Sequence, residues 1–358
     1  VSSALRATSK EWVRAPINLP YSRQHASNSL KILLHCRAPE RTRSPKGRAP
    51  VKNKRVVFMW FRNARPYKLP GRLGIDASEL SQRLSRRPFQ PCRPSQPVSS
   101  GWVPALSDDA SDYVHKSGDY WLIRLQREER LLPASVIRSE VNARIQEIQA
   151  GQGRRVKRKE RLDIVDEVTQ DLMPRAFTKL QYLEALINDR EGWVWVNTAS
   201  AARAEELLSL LREGLGNLPV VIPDTQKSPV IVMSQWLLNG GLPDGMSLGG
   251  DVDLEDPQEE GGVVRARGMY LESDDIRRHI ESGKQVVRLA LSWQDQIDFV
   301  VDKDLSIRRI RFSDELKGIN EELHEDVLAR RDADCLLMGE TLSTLQRAIA
   351  KTFGGISE

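Results

Sequence analysis

Residues 154–161 (RRVKRKER) set six cations, Arg154, Arg155, Lys157, Arg158, Lys159 and Arg161, against one carboxylate, Glu160. Fixed positive charge at this density suits a polyanion, because each neutralised phosphate releases condensed counterions. It equally suits a solvated helix face, which is what most charge runs are. Apolar residues follow at helical spacing (Leu162, Val165, Val168, Leu172), so one side of the helix can pack while the other stays wet. Pro174 ends that helix, since it lacks an N–H and its ring clashes with the preceding turn. The chain then rounds an exposed corner carrying Arg175, Phe177 and Lys179. A cationic run leading to an arginine beside an aromatic fits an anionic polymer better than a small substrate. The alternative for Phe177 is an ordinary core position.

Catalytic chemistry finds little support. Outside the first 58 residues the histidines are His115, His279 and His324, on unrelated elements, and neither GxSxG nor HExxH occurs. A two-metal nuclease needs carboxylates converging at strand ends; Asp166 with Glu167, or Asp298 with Asp302, could be invoked, but solvent exposure explains them as well. Asp251, Asp253 and Glu255 imitate the opening of a calcium loop, yet Asp256 stands where such loops need glycine for the sharp turn. The stretch 249–262 is therefore expected to be a flexible, solvated acidic insert. The link between the strand at 193–196 and the helix from Ser200 reads NTAS, not the glycine-rich loop that cradles nucleotide phosphates. No catalytic residue, metal ligand or cofactor is assigned, and the expectation is a protein that is not an enzyme.

The net charge of +5 hides a division. Residues 1–58 hold 13 Lys and Arg against two acids, and the other 300 hold 41 against 47. The basic pI thus belongs to the first segment, and any cationic binding surface on the remainder must be segregated, because the average charge would repel phosphate. Residues 1–58 are rich in Ser, Arg and Pro without lasting periodicity, and read as a disordered basic extension, or as an over-long reading of a start at Met59. Residues 59–358 read as the folded body, with more than one lobe. Cys36, Cys92 and Cys335 have neither metal-ligand nor disulfide-framework spacing, which fits a reducing cytoplasm. The longest apolar runs, such as VVFMWF at 56–61, fall short of the roughly 20 residues that cross a bilayer, so no membrane association is expected.

The elements that must position these residues are mixed. A strand is expected from Met59, a helix at 76–84 capped by Asp76, and a Pro-punctuated stretch ending in GWVP. A strand follows at 120–127, then a helix capped by Ser135 with Val136, Val141, Ile145 and Ile148 inward, interrupted at Gly151 and Gly153. Further strands are expected at 193–196, at LPVVIP (218–223) and at 230–233, with helices from Ser200 to Gly214 or Gly216 and from near Ser234. A second unit holds strand GVVRARGM, a helix between Ser273 and Gly283, and strands KQVVRLAL, QIDFVVD and LSIRRIRF. In the last, Leu305, Ile307 and Ile310 should face inward and Arg308, Arg309 and Arg311 outward. An amphipathic helix closes the chain. Without strict βαβ alternation the class is α+β.

Over residues 59–357 the body resembles the RdgC family of bacterial recombination-associated proteins. The carriers are MWFRN (59–63), FQPC (89–92), GWVP (101–104), REERLLPASVI (127–137), LMPRAF (172–177) and LLREGLGNLPVV (210–221). The second half adds EEGGVVRA (259–266), HIESGK (279–284), LALSWQDQIDFV (289–300) and RIRFSDEL (309–316). The resemblance implies a multi-lobed α+β subunit whose homodimer closes a ring around double-stranded DNA without reading sequence. It further implies restraint of RecA-dependent recombination, a part in replication-fork repair, and a cytoplasmic, nucleoid-associated location. In the LMPRAF motif it places Arg175 toward DNA and Phe177 at the dimer contact that opens to admit a duplex. Candidate DNA contacts are then Arg154, Arg155, Lys157, Arg158, Lys159, Arg175, Lys179, Arg265 and Arg267. Gly268 and Met269, following RAR, supply no charge where the family can carry polar or basic residues. The rival readings are a metal-dependent DNA-processing enzyme and a protein-interaction module that inhibits a recombinase directly.

Overall fold

The computed structural model describes residues 60–106, 110–258, 262–323 and 326–357. The basic extension at 1–58, Met59 and His324 lie outside the described residues. Two antiparallel sheets organise the rest. The first contains β1 (Arg65–Lys68), β2 (Val98–Val103), β3 (Val114–Ser117), β4 (Tyr120–Leu131), β5 (Phe177–Asn188) and β6 (Trp193–Val196), in the order β1-β6-β5-β4-β2, with β3 also on β4. The second contains β7 (Met246–Glu255), β8 (Val263–Ala266), β9 (Gln285–Trp293), β10 (Ile297–Asp302) and β11 (Ile307–Phe312), in the order β11-β10-β9-β7-β8. The α+β expectation holds.

Strand periodicity decides how the layers stack. On β4, Trp121, Ile123 and Leu125 enter a core with α1 (Ala77–Leu84) and α4 (Ala201–Leu215), whereas Tyr120 and Leu122 enter another. That second core gathers α5 (Pro229–Asn239), α6 (Asp274–Glu281), α8 (Val327–Thr352) and the apolar face of the second sheet. On β6, Val194 and Val196 take the first side, Trp193 and Trp195 the second. Strands covered on both faces read as unbroken apolar runs, which is why YWLIRL and WVWV show no alternation. Helix α8 lies close against the sheet at Gly339, where a Cβ would come within 2.6 Å of the Tyr120 ring. Segment 61–68 straps the two sheets together: β1 pairs with β6, while Ala64 bridges Ile307 and Ile310 N–H donates to Arg62 O at 2.8 Å.

Local signals succeed where the physics is local. Asp76 Oδ1 accepts from Glu79 N–H at 2.7 Å, and Ser200 Oγ from Arg203 N–H at 3.4 Å, as capping residues should. Several expectations need correction. Residues 230–233 are helical, because Pro229 starts α5 where its missing N–H costs nothing. LPVVIP forms no strand and contributes a single bridge, Lys68 with Val221. The N-cap of α2 (Ala134–Gln152) is Pro133 rather than Ser135, and that helix runs through Gly151 to a left-handed Gly153. Residues 249–255 of the acidic stretch belong to strand β7, with Asp253 only 3% exposed, so this half is no flexible insert; residues 259–261 lie outside the described residues. Leu305 lies in the turn before β11 at φ 62°, and Arg309 sits in a bulge at φ 52°. The bulge breaks strict alternation, letting Ile307, Ile310 and Phe312 all point inward.

Candidate nucleic-acid interface

β4 and β5 pair along their whole length, from Tyr120 opposite Asn188 to Leu131 opposite Phe177. β6 covers only the Ala185–Asn188 end of β5, so the Phe177–Leu183 half projects beyond it. The chain leaves this projecting end at Leu131, forms α2 and α3 (Arg158–Leu172), and returns through a single 3-10 turn at Met173–Arg175. The two helices make a finger with its own small core of Val141, Ile164 and Val168. Ile164 takes the packing position expected of Leu162, which is 60% exposed.

The basic run occupies the bend of the finger. Arg154 to Lys157 form the link, and Arg158, Lys159 and Arg161 begin α3, whose N-terminal N–H groups add positive potential. Arg154 is engaged: its Nη1 and Nη2 both reach the Glu160 carboxylate, at 2.8 and 2.5 Å. That hydrogen-bonded pairing, first among its causes, holds Glu160 down to about 2. Arg155, Lys157, Arg158, Lys159 and Arg161 are exposed and pair with no carboxylate among the described residues.

At the finger's base lies the corner. Phe177 is 85% exposed, with exposed Leu131 cross-strand from it on the same face; Leu180 and Tyr182, also exposed, lie on the opposite face of the projecting strands. Arg175 and Lys179 are exposed beside it. The corner's shape depends on Arg130, which sequence reasoning missed. Its guanidinium donates to the carbonyls of Ala176 at 3.3 Å, Arg93 at 3.2 Å and Cys92 at 3.4 Å. REERLL gives no sign of this, since Arg130 acts through backbone that lies 37 and 46 residues away.

The other candidates lie on the second sheet. Arg265 is exposed on β8, cross-strand from Asp253. Arg267 is committed internally: its Nη2 meets Asp253 at 2.5 Å, and its Nη1 donates to the carbonyls of Ala266 at 2.8 Å and Val252 at 3.1 Å. Arg288 joins Asp253 to Asp302, and Arg308 also pairs with Asp302 at 2.8 Å. Arg309 pairs with Asp251 at 2.7 Å, and Arg311 is exposed. Partial burial pushes the Asp251 carboxyl up, but the Gly268 N–H and Arg309 outweigh it and leave it below its ordinary value. The outward arginine row is therefore largely a cross-linked network with aspartates. His115 Nε2 lies 2.8 Å from Asp332, His279 is half-buried on α6, and Glu167 pairs with Arg144. Among the described residues no three His, Cys, Asp or Glu gather as potential metal ligands. No described helix is long and apolar enough to cross a membrane.

Comparison with known proteins covers this whole body. A family model described as "Putative exonuclease, RdgC" matches residues 59–356. Recombination-associated proteins RdgC from Salmonella paratyphi B and Salmonella typhimurium LT2 are each 37% identical over 300 residues, which is 83% of this chain and 99% of theirs. By both measures the chain belongs to the RdgC family.

Proposed function

We propose that the chain is a sequence-independent double-stranded DNA-binding protein, not an enzyme, that works as a ring-closing homodimer and restrains RecA-dependent recombination during replication-fork repair at the nucleoid. One observation carries the reading: a finger bearing five exposed cations that pair with no carboxylate among the described residues joins a corner where Phe177 stands 85% exposed between Arg175 and Lys179. Exposed cations on a helix and turn offer phosphate contacts, which give affinity without sequence preference. A large aromatic left in water at a strand end is what a self-complementary two-fold contact would cover. The name of the Salmonella relatives ties those proteins to recombination.

The test is duplex binding followed by fluorescence anisotropy on two unrelated sequences across a salt series, for the full chain and for residues 59–358. Equal affinities on both, with log K falling steeply in log salt for both proteins, are expected. Binding lost with residues 1–58 would sink the reading. The family model's own description favours a second, nuclease reading; magnesium-dependent strand scission by the purified protein would promote it.

A further inference from the structure

An open cleft of about 820 Å³ lies where the strap meets the end of β11 and the start of α7 (Asp314–Leu323). Its size falls in the range of sites that bind small molecules or chain segments. Trp60, Arg62 and Asn63 line one side; Arg309, Arg311 and Lys317 line the other. Trp60 is half-buried, with its ring centroid 4.7 Å from that of Phe312 and tilted by 54°. Four cations thus surround an aromatic pair. Asp251 holds Arg309, and Asp314 lies 3.5 Å from Lys317. Arg62 and Arg311 are exposed and pair with no carboxylate among the described residues.

The backbone supports the cleft. Arg309 occupies the left-handed region at φ 52°, a conformation that a non-glycine residue keeps only when its surroundings impose it. Here Asn63 Oδ1 accepts its N–H at 3.3 Å, and Asp251 fixes its guanidinium. The bulge aims Arg308 at Asp302 and leaves Arg309 and Arg311 on the cleft wall.

We propose that this cleft binds a short single-stranded nucleic-acid segment, with cations on its phosphates and Trp60 against an unstacked base. Aromatic surface gains nothing from a duplex, whose base faces are already stacked, but stacks on any base of a single strand. An acidic peptide would use the cations and leave Trp60 idle. The site shares no residue with the finger or the corner, so it stands independently of the duplex reading.

The experiment uses the full chain and a short oligothymidylate carrying 5-bromodeoxyuridine, photo-crosslinked and mapped by peptide mass spectrometry. Crosslinks are expected on peptides holding Trp60–Asn63 or Arg309–Lys317. Trp60→Ala and Arg311→Ala should each lower their yield by about tenfold, the effect of losing a stacking or charge contact. Arg311 is exposed, so its variant should keep the wild-type unfolding midpoint even if Trp60→Ala does not fold. Phe177→Ala should leave these crosslinks unchanged, whatever it does to duplex. Crosslinks confined to residues 1–58 or 154–179, or an unchanged yield in Arg311→Ala, would overturn the proposal. So would competition by polyglutamate, or by thymidine monophosphate, equal to that of unlabelled oligothymidylate.

Discussion

Glu184 makes the fold sensitive to pH in a calculable way. It lies on β5 opposite Arg124, only 8% exposed, and its Oε2 accepts from Asn197 Nδ2 at 3.2 Å. Burial dominates and pushes its carboxyl from 4.5 up to about 7, against the opposing pull of the Asn197 hydrogen bond and the Arg124 charge. The folded chain therefore holds this proton more tightly than the unfolded chain does. Its stabilising contribution is complete below about pH 4.5, declines as pH rises, and is gone above about pH 7. A gap of about 2.5 pH units at 1.36 kcal/mol per unit amounts to about 3 kcal/mol. Glu184→Gln keeps an acceptor for Asn197 and removes the ionisation. Urea unfolding of both proteins at pH 5, 6, 7 and 8 should show the variant gaining on wild type by about 2.5 kcal/mol across the series, part of the change having already occurred below pH 5. A flat difference, or a variant less stable than wild type at pH 8, would mean that Arg124 holds Glu184 ionised and that burial does not govern it.

Other expectations follow from single contacts. Gly339→Ala drives a methyl into the Tyr120 ring and should cost about 1–3 kcal/mol, read as a lower thermal midpoint. Asp253→Asn removes the charge that Arg267 and Arg288 share at a buried site, and a loss of about 3–5 kcal/mol in urea unfolding is expected. Burial pushes the Cys335 thiol up to about 12, so iodoacetamide should leave it unmodified at pH 8 until the protein unfolds. Phe177→Ala should leave folding within about 0.5 kcal/mol of wild type, since the ring is solvated. The same substitution should weaken dimers in sedimentation and shorten duplex retention; a normal dimer with unchanged affinity would contradict the role given to Phe177. Arg175→Ala should lower the salt-dependence slope by about 1 on every sequence alike.

Elements that carry their own signals could be read from sequence. Asp76 and Ser200 announce helix starts, and YWLIRL and WVWV announce strands buried on both faces. The corner was legible from Pro174: α3 stops at Leu172, and the proline sits in the 3-10 turn that follows. What stayed hidden depends on partners far along the chain. FTKLQY, the projecting half of β5, has no clean alternation because both its faces are largely exposed, so its strand identity comes only from pairing with β4. DVDLE looks like a solvated acidic loop until Arg267 and Arg288 are placed opposite Asp253. The same long-range pairing separates the candidate cations. Arg155, Lys157, Arg158 and Lys159 remain exposed, whereas Arg154 and Arg267 are already satisfied within the chain.

The strap at Phe61–Lys68 imposes an order on biosynthesis. These residues leave the ribosome before every element they join, and Phe61 N–H finds its acceptor, Met338 Sδ, 277 residues later. At about 5–20 residues per second, that interval is about 14–55 s. Phe61 and Tyr67, both buried in the finished protein, have no native partner for much of that time. The two sheets can each form locally, but their joining waits until Ile307 and then α8 have been translated. The nascent chain thus carries an adhesive, unclosed strap through most of its synthesis, and closure of the strap is a late event in folding.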